Sequence, residues 1–260
     1  MKRFLLLTLC ILFFVCAFIM PILAVRNAYS WYCVRNKEHK QPRLDAEMRF
    51  IEDYGGYHVD KTHGDDCSEK VVYLTFDAGY ENGNIAKILD ILNGQDVTAA
   101  FFVLGNLIEK NPELILRMET EGHTVCNHTD KHRDMSKCTK REEFAEELRS
   151  LEEKYYACTG KDMKKYYRPP EGRFSLDNMK FANELGYKTI FWSFAYADWD
   201  NKNQMSPQKA KEKILSNIHN GAIILLHPTS ATNAAILEDV IIELKAQGYE
   251  FGTLDELTAP

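Results

Sequence analysis

The chain has 260 residues, 45% of them apolar and 27% charged, a composition that suits one good-sized globular domain with extra segments. Its 32 basic residues face 38 acidic ones, for a net charge of −6. That balance excludes a nucleic-acid partner, which calls for a basic excess, and leaves uncharged sugars open.

Lys2 and Arg3 precede an apolar run from Phe4 to Val25, broken only by Thr8 and Pro21. At roughly 1.5 Å per residue, such a run crosses a hydrocarbon core of about 30 Å. It is longer than a secretory h-region, so residues 1–25 read as a signal anchor, with a cleaved signal peptide as the alternative. Lys2 and Arg3 would stay cytoplasmic, which places the rest outside, membrane-anchored through residues 4–25 or secreted. Of seven cysteines, five lie beyond this run and none forms a C-x-x-C pair, so a thiolate zinc site is not expected.

Residues 26–68 read as a polar stalk or lead-in, with a short helix over Arg43 to Asp53. Val71 to Phe76 predicts a strand, residues 83–93 a helix, and Val97 to Leu104 a second strand. Helices follow from Pro112 to Glu121 and over residues 140–157; Ser175 caps another that Gly186 ends. Lys188 to Phe194 is a strand, Ser206-Pro207 starts a helix, and Ala222 to Leu226 is again a strand. A helix from Ala231 to Gln247 and a strand from Tyr249 to Thr253 close the chain. Strands alternating with helices imply an α/β fold with a parallel sheet, and the number of βα units favours a small barrel. In such folds functional groups gather at the C-terminal ends of strands.

Asp77 ends the first strong strand and shares a face with Tyr73 and Thr75, although an Asp before Gly79 also suits a plain turn. His128 and His132 stand four apart, so on a helical turn both imidazoles would reach one metal; two surface histidines are the bland alternative. Asn127-His128-Thr129 is also a glycosylation sequon, and a glycan beside a metal site would obstruct it, which points to a bacterial source. Arg168-Pro169-Pro170 holds a guanidinium at a fixed angle, suited to gripping a carboxylate. Asp198-Trp199 follows one predicted strand, and His227 ends another, where it suits acid or base work as well as a structural role.

Together and in this order, these five groups resemble the NodB-type polysaccharide deacetylases, carbohydrate esterase family 4, over residues 69–258. The resemblance implies a distorted (β/α)7 barrel. It also implies roles: Asp77 as catalytic base, Arg168 as its tether, His227 as general acid, and Asp198 as the carboxylate that orients His227. His128 and His132 correspond to ligands of a divalent metal, zinc being the metal implied. The family usually carries a second Asp as third ligand, where this chain has Ala78. The site is then expected to hold metal weakly, with Glu81 the nearest carboxylate in the same loop. Thr75 to Gly83 is similar to the muramic acid deacetylases of spore-forming bacteria, which act in delta-lactam formation in cortex peptidoglycan. This implies N-acetylmuramic acid in peptidoglycan as substrate and the bacterial cell envelope as location, with Tyr80 and Trp199 as stacking residues. Three rivals stand beside this reading. One is a glycan-binding pseudoenzyme, the second a deacetylase of another N-acetylglucosamine polymer such as chitin oligomers. The third is a glycosidase using Asp77 and Asp198, which would leave the three histidines without a task.

Overall fold

The structure is a computed structural model and describes residues 28–34 and 38–259. The proposed anchor over residues 1–25 lies outside them; among the described residues no helix is long and apolar enough to cross a membrane.

In chain order the elements are β1 (Tyr29–Ser30), α1 (Phe50–Asp53), β2 (Gly56–Tyr57), β3 (Lys70–Ala78), α2 (Ile85–Gly94) and β4 (Ala100–Val103). Then come α3 (Gly105–Lys110), α4 (Pro112–Thr120), β5 (Thr124–Asn127), α5 (Arg141–Thr159), β6 (Tyr166–Tyr167) and β7 (Arg173–Phe174). The chain ends with α6 (Leu176–Glu184), β8 (Lys188–Ile190), α7 (Pro207–Leu215), β9 (Ala222–Leu226), α8 (Ala231–Ala246), β10 (Tyr249–Phe251) and α9 (Leu254–Leu257).

The main sheet runs β10-β3-β4-β5-β6-β8-β2, with β9 paired to β3 as well, and all its strand pairs are parallel. The sheet curls into a half-barrel. Across its open side, a parallel bridge joins Phe194 to Ile224 and an antiparallel one joins Val59 to Ala222. This is the α/β architecture expected, consistent with a distorted (β/α)7 barrel.

Strand alternation divides the core in two. Val72, Leu74, Phe76 and Ala78 face the helices, packing with Ile88, Leu89, Val103 and Ile236. Tyr73 points inward with Phe102, Cys126, Ile190 and Ile223, and Leu254 and Leu257 of α9 join this inner cluster. The outer cluster is the larger, and it fixes the direction in which every strand delivers its last inward residue.

Several boundaries differ from expectation. The strand expected over Lys188 to Phe194 ends at Ile190, because the following residues turn to bridge the open side. The Arg43 to Asp53 helix divides into a 3-10 turn, Ala46–Met48, and α1. Strand β5 and helix α3 carry no strong sequence signal; both are too short to show a period, and three of the four β5 residues are buried. Residues 28–34 and 38–68 are folded onto the domain and do not stand off it, since Trp31, Met48, Ile51 and Val59 are buried. Cys67, Cys126, Cys138 and Cys158 are thiols.

Candidate active site

Asp77 is the next-to-last residue of β3 and points into a cavity of about 740 Å³. His128, His132, Glu171, Trp192, Tyr196 and His227 line the same cavity, with Tyr80 and Trp199 at its walls. The rule that function gathers at the C-terminal ends of strands places Asp77, His128, Arg168 and His227, which follow or end β3, β5, β6 and β9.

Arg168 is fully buried, which makes its pairing obligatory. Its Nη1 donates to Asp77 Oδ1 at 2.8 Å, Nη2 to Thr75 Oγ1 at 2.9 Å and to Phe191 O at 3.2 Å, and Nε to Ile190 O at 2.9 Å. The guanidinium also lies over the Phe102 ring, 4.0 Å from its centroid. Burial raises the proton affinity of Asp77, but facing positive charge, on the His128 ring where that is protonated and on the Arg168 guanidinium throughout, outweighs it and holds the carboxyl below its usual range.

The main chain of Arg168 serves the other side of the site. His128 Nδ1 lies 2.8 Å from Arg168 O, and a carbonyl only accepts, so Nδ1 carries the proton. Nε2 is then left with its lone pair, 3.5 Å from Asp77 Oδ2. Burial pushes the His128 pKa down to about 4, so the ring is neutral at pH 7 and Arg168 is what keeps Asp77 ionised there.

His132 reaches the same place by a different route from the one the spacing suggests. Residues 128–132 do not form a helical turn: Thr129 and His132 both have positive φ, at 71° and 54°. Asn127 Oδ1 accepts from Thr129 N, and Thr129 Oγ1 accepts from His132 N, so side chains close a tight loop. This loop sets the two imidazole centroids 5.2 Å apart. The histidine pair fits a divalent ion as two neutral nitrogen donors, with the Arg168 carbonyl orienting one of them. No third donor joins them: among the described residues no three His, Cys, Asp or Glu side chains could hold a metal together. Ala78 is fully buried in the helix-side core. Glu81 does not replace it, because its carboxylate accepts from Gly83 N and Ile85 N at the start of α2.

On the opposite wall, His227 Nδ1 lies 2.7 Å from Asp198 Oδ1, and the His227 amide donates to Asp198 Oδ2 at 2.8 Å. Burial works against charge on His227, but the hydrogen bond and charge of Asp198 outweigh it and raise its pKa. Asp198 is 1% exposed, and its remaining need is met by Asn233 Nδ2 at 2.6 Å. Asn233 also donates to His227 O at 3.1 Å and accepts from the Tyr196 hydroxyl. Trp199 is 60% exposed with its ring 6.1 Å from that of His227, and Tyr80 OH accepts from Asn201 Nδ2 at 2.9 Å.

All eight residues singled out in the sequence therefore bear on one cavity. Three supporting residues were not singled out. Thr75 was legible, sharing the inward face of β3 with Asp77. Asn233 and Glu171 gave no local signal: the first lies in α8 and the second in a turn with positive φ of 55°.

Comparison with known proteins agrees with this geometry. The family model described as polysaccharide deacetylase matches residues 64–190. The peptidoglycan-N-acetylmuramic acid deacetylase PdaA of Bacillus subtilis is 41% identical over 88% of this chain and 85% of its own. The structure of Bacillus subtilis PdaA, a family 4 carbohydrate esterase, superposes with a TM-score of 0.83 at 39% identity, covering 88% of this chain and 96% of that one. A family 4 pseudoenzyme from Bacillus anthracis gives 0.67 at 30% identity, over 73% of this chain and 66% of its own. The chain belongs to the NodB-type polysaccharide deacetylase family, carbohydrate esterase family 4.

Proposed function

We propose that this protein removes the acetyl group from N-acetylmuramic acid in peptidoglycan strands, outside the cytoplasm and in the service of spore-cortex delta-lactam formation. The observation that carries the chemistry is the pairing of Asp77 with Arg168 and of His227 with Asp198 around one cavity. The 41% identity to a muramic acid deacetylase supports the choice of sugar.

Amide hydrolysis needs an activated water and a protonated leaving amine. Asp77 accepts the water's proton, its carboxylate held ionised and aimed by Arg168. His227 donates to the departing sugar nitrogen, and Asp198 keeps the imidazole charged and oriented for that transfer. Trp199 and Tyr80 offer aromatic faces on which a sugar ring can stack. A divalent ion, zinc in this reading, would be held by His128 and His132, with water or substrate completing its shell. When bound it would polarise the acetyl carbonyl and lower the pKa of its water. The products are acetate and a glycan with a free amine.

A glycan-binding pseudoenzyme is the second reading, favoured by Ala78 and by the pseudoenzyme among the structural neighbours. Against it, binding alone requires neither a tethered carboxylate nor a charged histidine at the cavity wall. Acetate release from peptide-stripped peptidoglycan strands separates the two. Release that a chelator stops and Zn²⁺ restores supports the metal-assisted deacetylase. No release from a folded protein moves the assignment to the pseudoenzyme, and release only from chitin oligomers moves it to a different polymer.

A further inference from the structure

The geometry points to Trp31, in the lead-in ahead of the barrel, as a positioning residue for Arg168 and through it for Asp77, with residues 29–33 acting as a strap across the back of the Arg168 turn. This rests on the deacetylase reading of Arg168 and Asp77.

The turn that follows Arg168 is held in an unfavourable backbone conformation. Pro170–Gly172 forms a 3-10 turn in which Glu171 has φ of 55° and Gly172 φ of 65°. A non-glycine residue at positive φ is disfavoured and persists only where its surroundings force it. The strap supplies that force. Trp31 N donates to Gly172 O at 2.8 Å, and Tyr29 and Ser30 pair antiparallel with Phe174 and Arg173. A side chain at Gly172 would meet Trp31 Cβ at 2.9 Å and the Trp192 ring at 2.8 Å, so the turn is clamped between the two tryptophans.

Trp31 also backs the acceptors that grip the guanidinium. Its ring stacks on Phe191 with centroids 4.3 Å apart, and its Nε1 donates to Trp192 O at 2.9 Å. Phe191 O accepts from Arg168 Nη2, and the Trp192 ring lies 5.8 Å from the guanidinium carbon while lining the cavity. Two residues further along the strap, Cys33 Sγ reaches Ser193 O at 3.0 Å. The strap thus touches both segments that hold Arg168: the turn carrying it and the stretch after β8 that receives it. Trp31 is 6% exposed and lacks any contact with the cavity, so it acts through Arg168 and not on substrate.

The test compares full-length wild type with Trp31→Ala, Trp31→Phe, Arg168→Ala and the Trp31→Ala/Arg168→Ala double variant. Acetate release gives kcat and KM, and backbone hydrogen exchange is followed over residues 168–174 and 190–193. Trp31→Ala is expected to lower kcat at least about tenfold with KM nearly unchanged, because a small misplacement of a catalytic group is costly. In the Arg168→Ala background the same change should cost nothing further. Exchange should rise in both segments. Trp31→Phe, which keeps the stacking and loses only the bond to Trp192 O, should retain more activity and serves as the probe if Trp31→Ala does not fold. Unchanged kcat in Trp31→Ala, or losses that multiply in the double variant, would overturn the proposal. If wild type itself releases no acetate, the deacetylase reading fails; the strap then stands or falls on exchange alone, unchanged exchange refuting it.

Discussion

Arg168 uses both ends of one residue. Its side chain grips the Asp77 carboxylate and its carbonyl fixes the tautomer of His128, so substitution at 168 disturbs two contacts together. Asp77→Asn keeps the shape of the base and removes its proton affinity; acetate release should fall to background, and release at the wild-type rate would refute the assignment. The pH profile follows from the two walls. The Asp77 pKa is lowered from the usual carboxylate value, and in the proposed mechanism it serves as base above that point. The His227 pKa is raised from its ordinary value, and in the proposed mechanism it serves as acid below that point. Activity is therefore expected on a plateau between the two, and Asp198→Asn should move its alkaline edge to lower pH. An unmoved edge in kcat against pH would mean that Asp198 does not charge His227. Asn233→Ala frees one oxygen of a buried carboxylate, and a loss of about tenfold or more in kcat is expected if general-acid geometry depends on it.

At the scale of elements, the loop after β5 carries both imidazoles, and its floor is the start of α3. Gly105 N donates to Asp130 O at 3.1 Å, and a Cβ at 105 would collide with the Asp130 carboxylate, itself held by Lys154 and Ser150. Gly105→Ala should lower the melting temperature and weaken Zn²⁺ binding in a titration, although residue 105 touches neither ligand. Intact zinc affinity would show that the loop is braced elsewhere. Long elements were legible in the sequence: β9 was read residue for residue, and β3, α2, α5 and α8 to within two or three residues. The helices have a 3.6-residue pattern set by one buried face, whereas β3 and β9 are runs of β-branched and apolar residues buried on both faces. The His128–His132 pair was legible as a pair but not as a conformation, because side-chain closure onto Asn127 and Thr129 overrode the helical spacing. The role of the lead-in was not legible, since Trp31 gains its partners 140 or more residues away in the chain.

For the molecule as a whole, four buried histidines, His58, His123, His128 and His219, have their pKa values lowered by burial and set a limit on acid stability. His58 and His128 have pKa values pushed down to about 4 by burial, below the unfolded value near 6.5. A group lowered in the folded state contributes stability above its unfolded pKa and loses it as pH falls through the folded one. His63 and His227, both raised, work in the opposite sense as pH rises. The melting temperature is expected to drop between about pH 6.5 and 4, and His58→Gln should flatten that drop; a slope untouched by the substitution would exclude His58 as a cause. The pairing of β3 has a consequence for how the protein is made. Its partners at Ala222–Leu226 and Tyr249–Phe251 are the last strands of the chain, and α9, which plugs the barrel floor, comes later still. A polypeptide leaving the ribosome therefore delivers β3 and β4 long before β9 and β10, the other two neighbours of β3. The barrel cannot close until the final residues arrive, so stable folding waits for the completed chain.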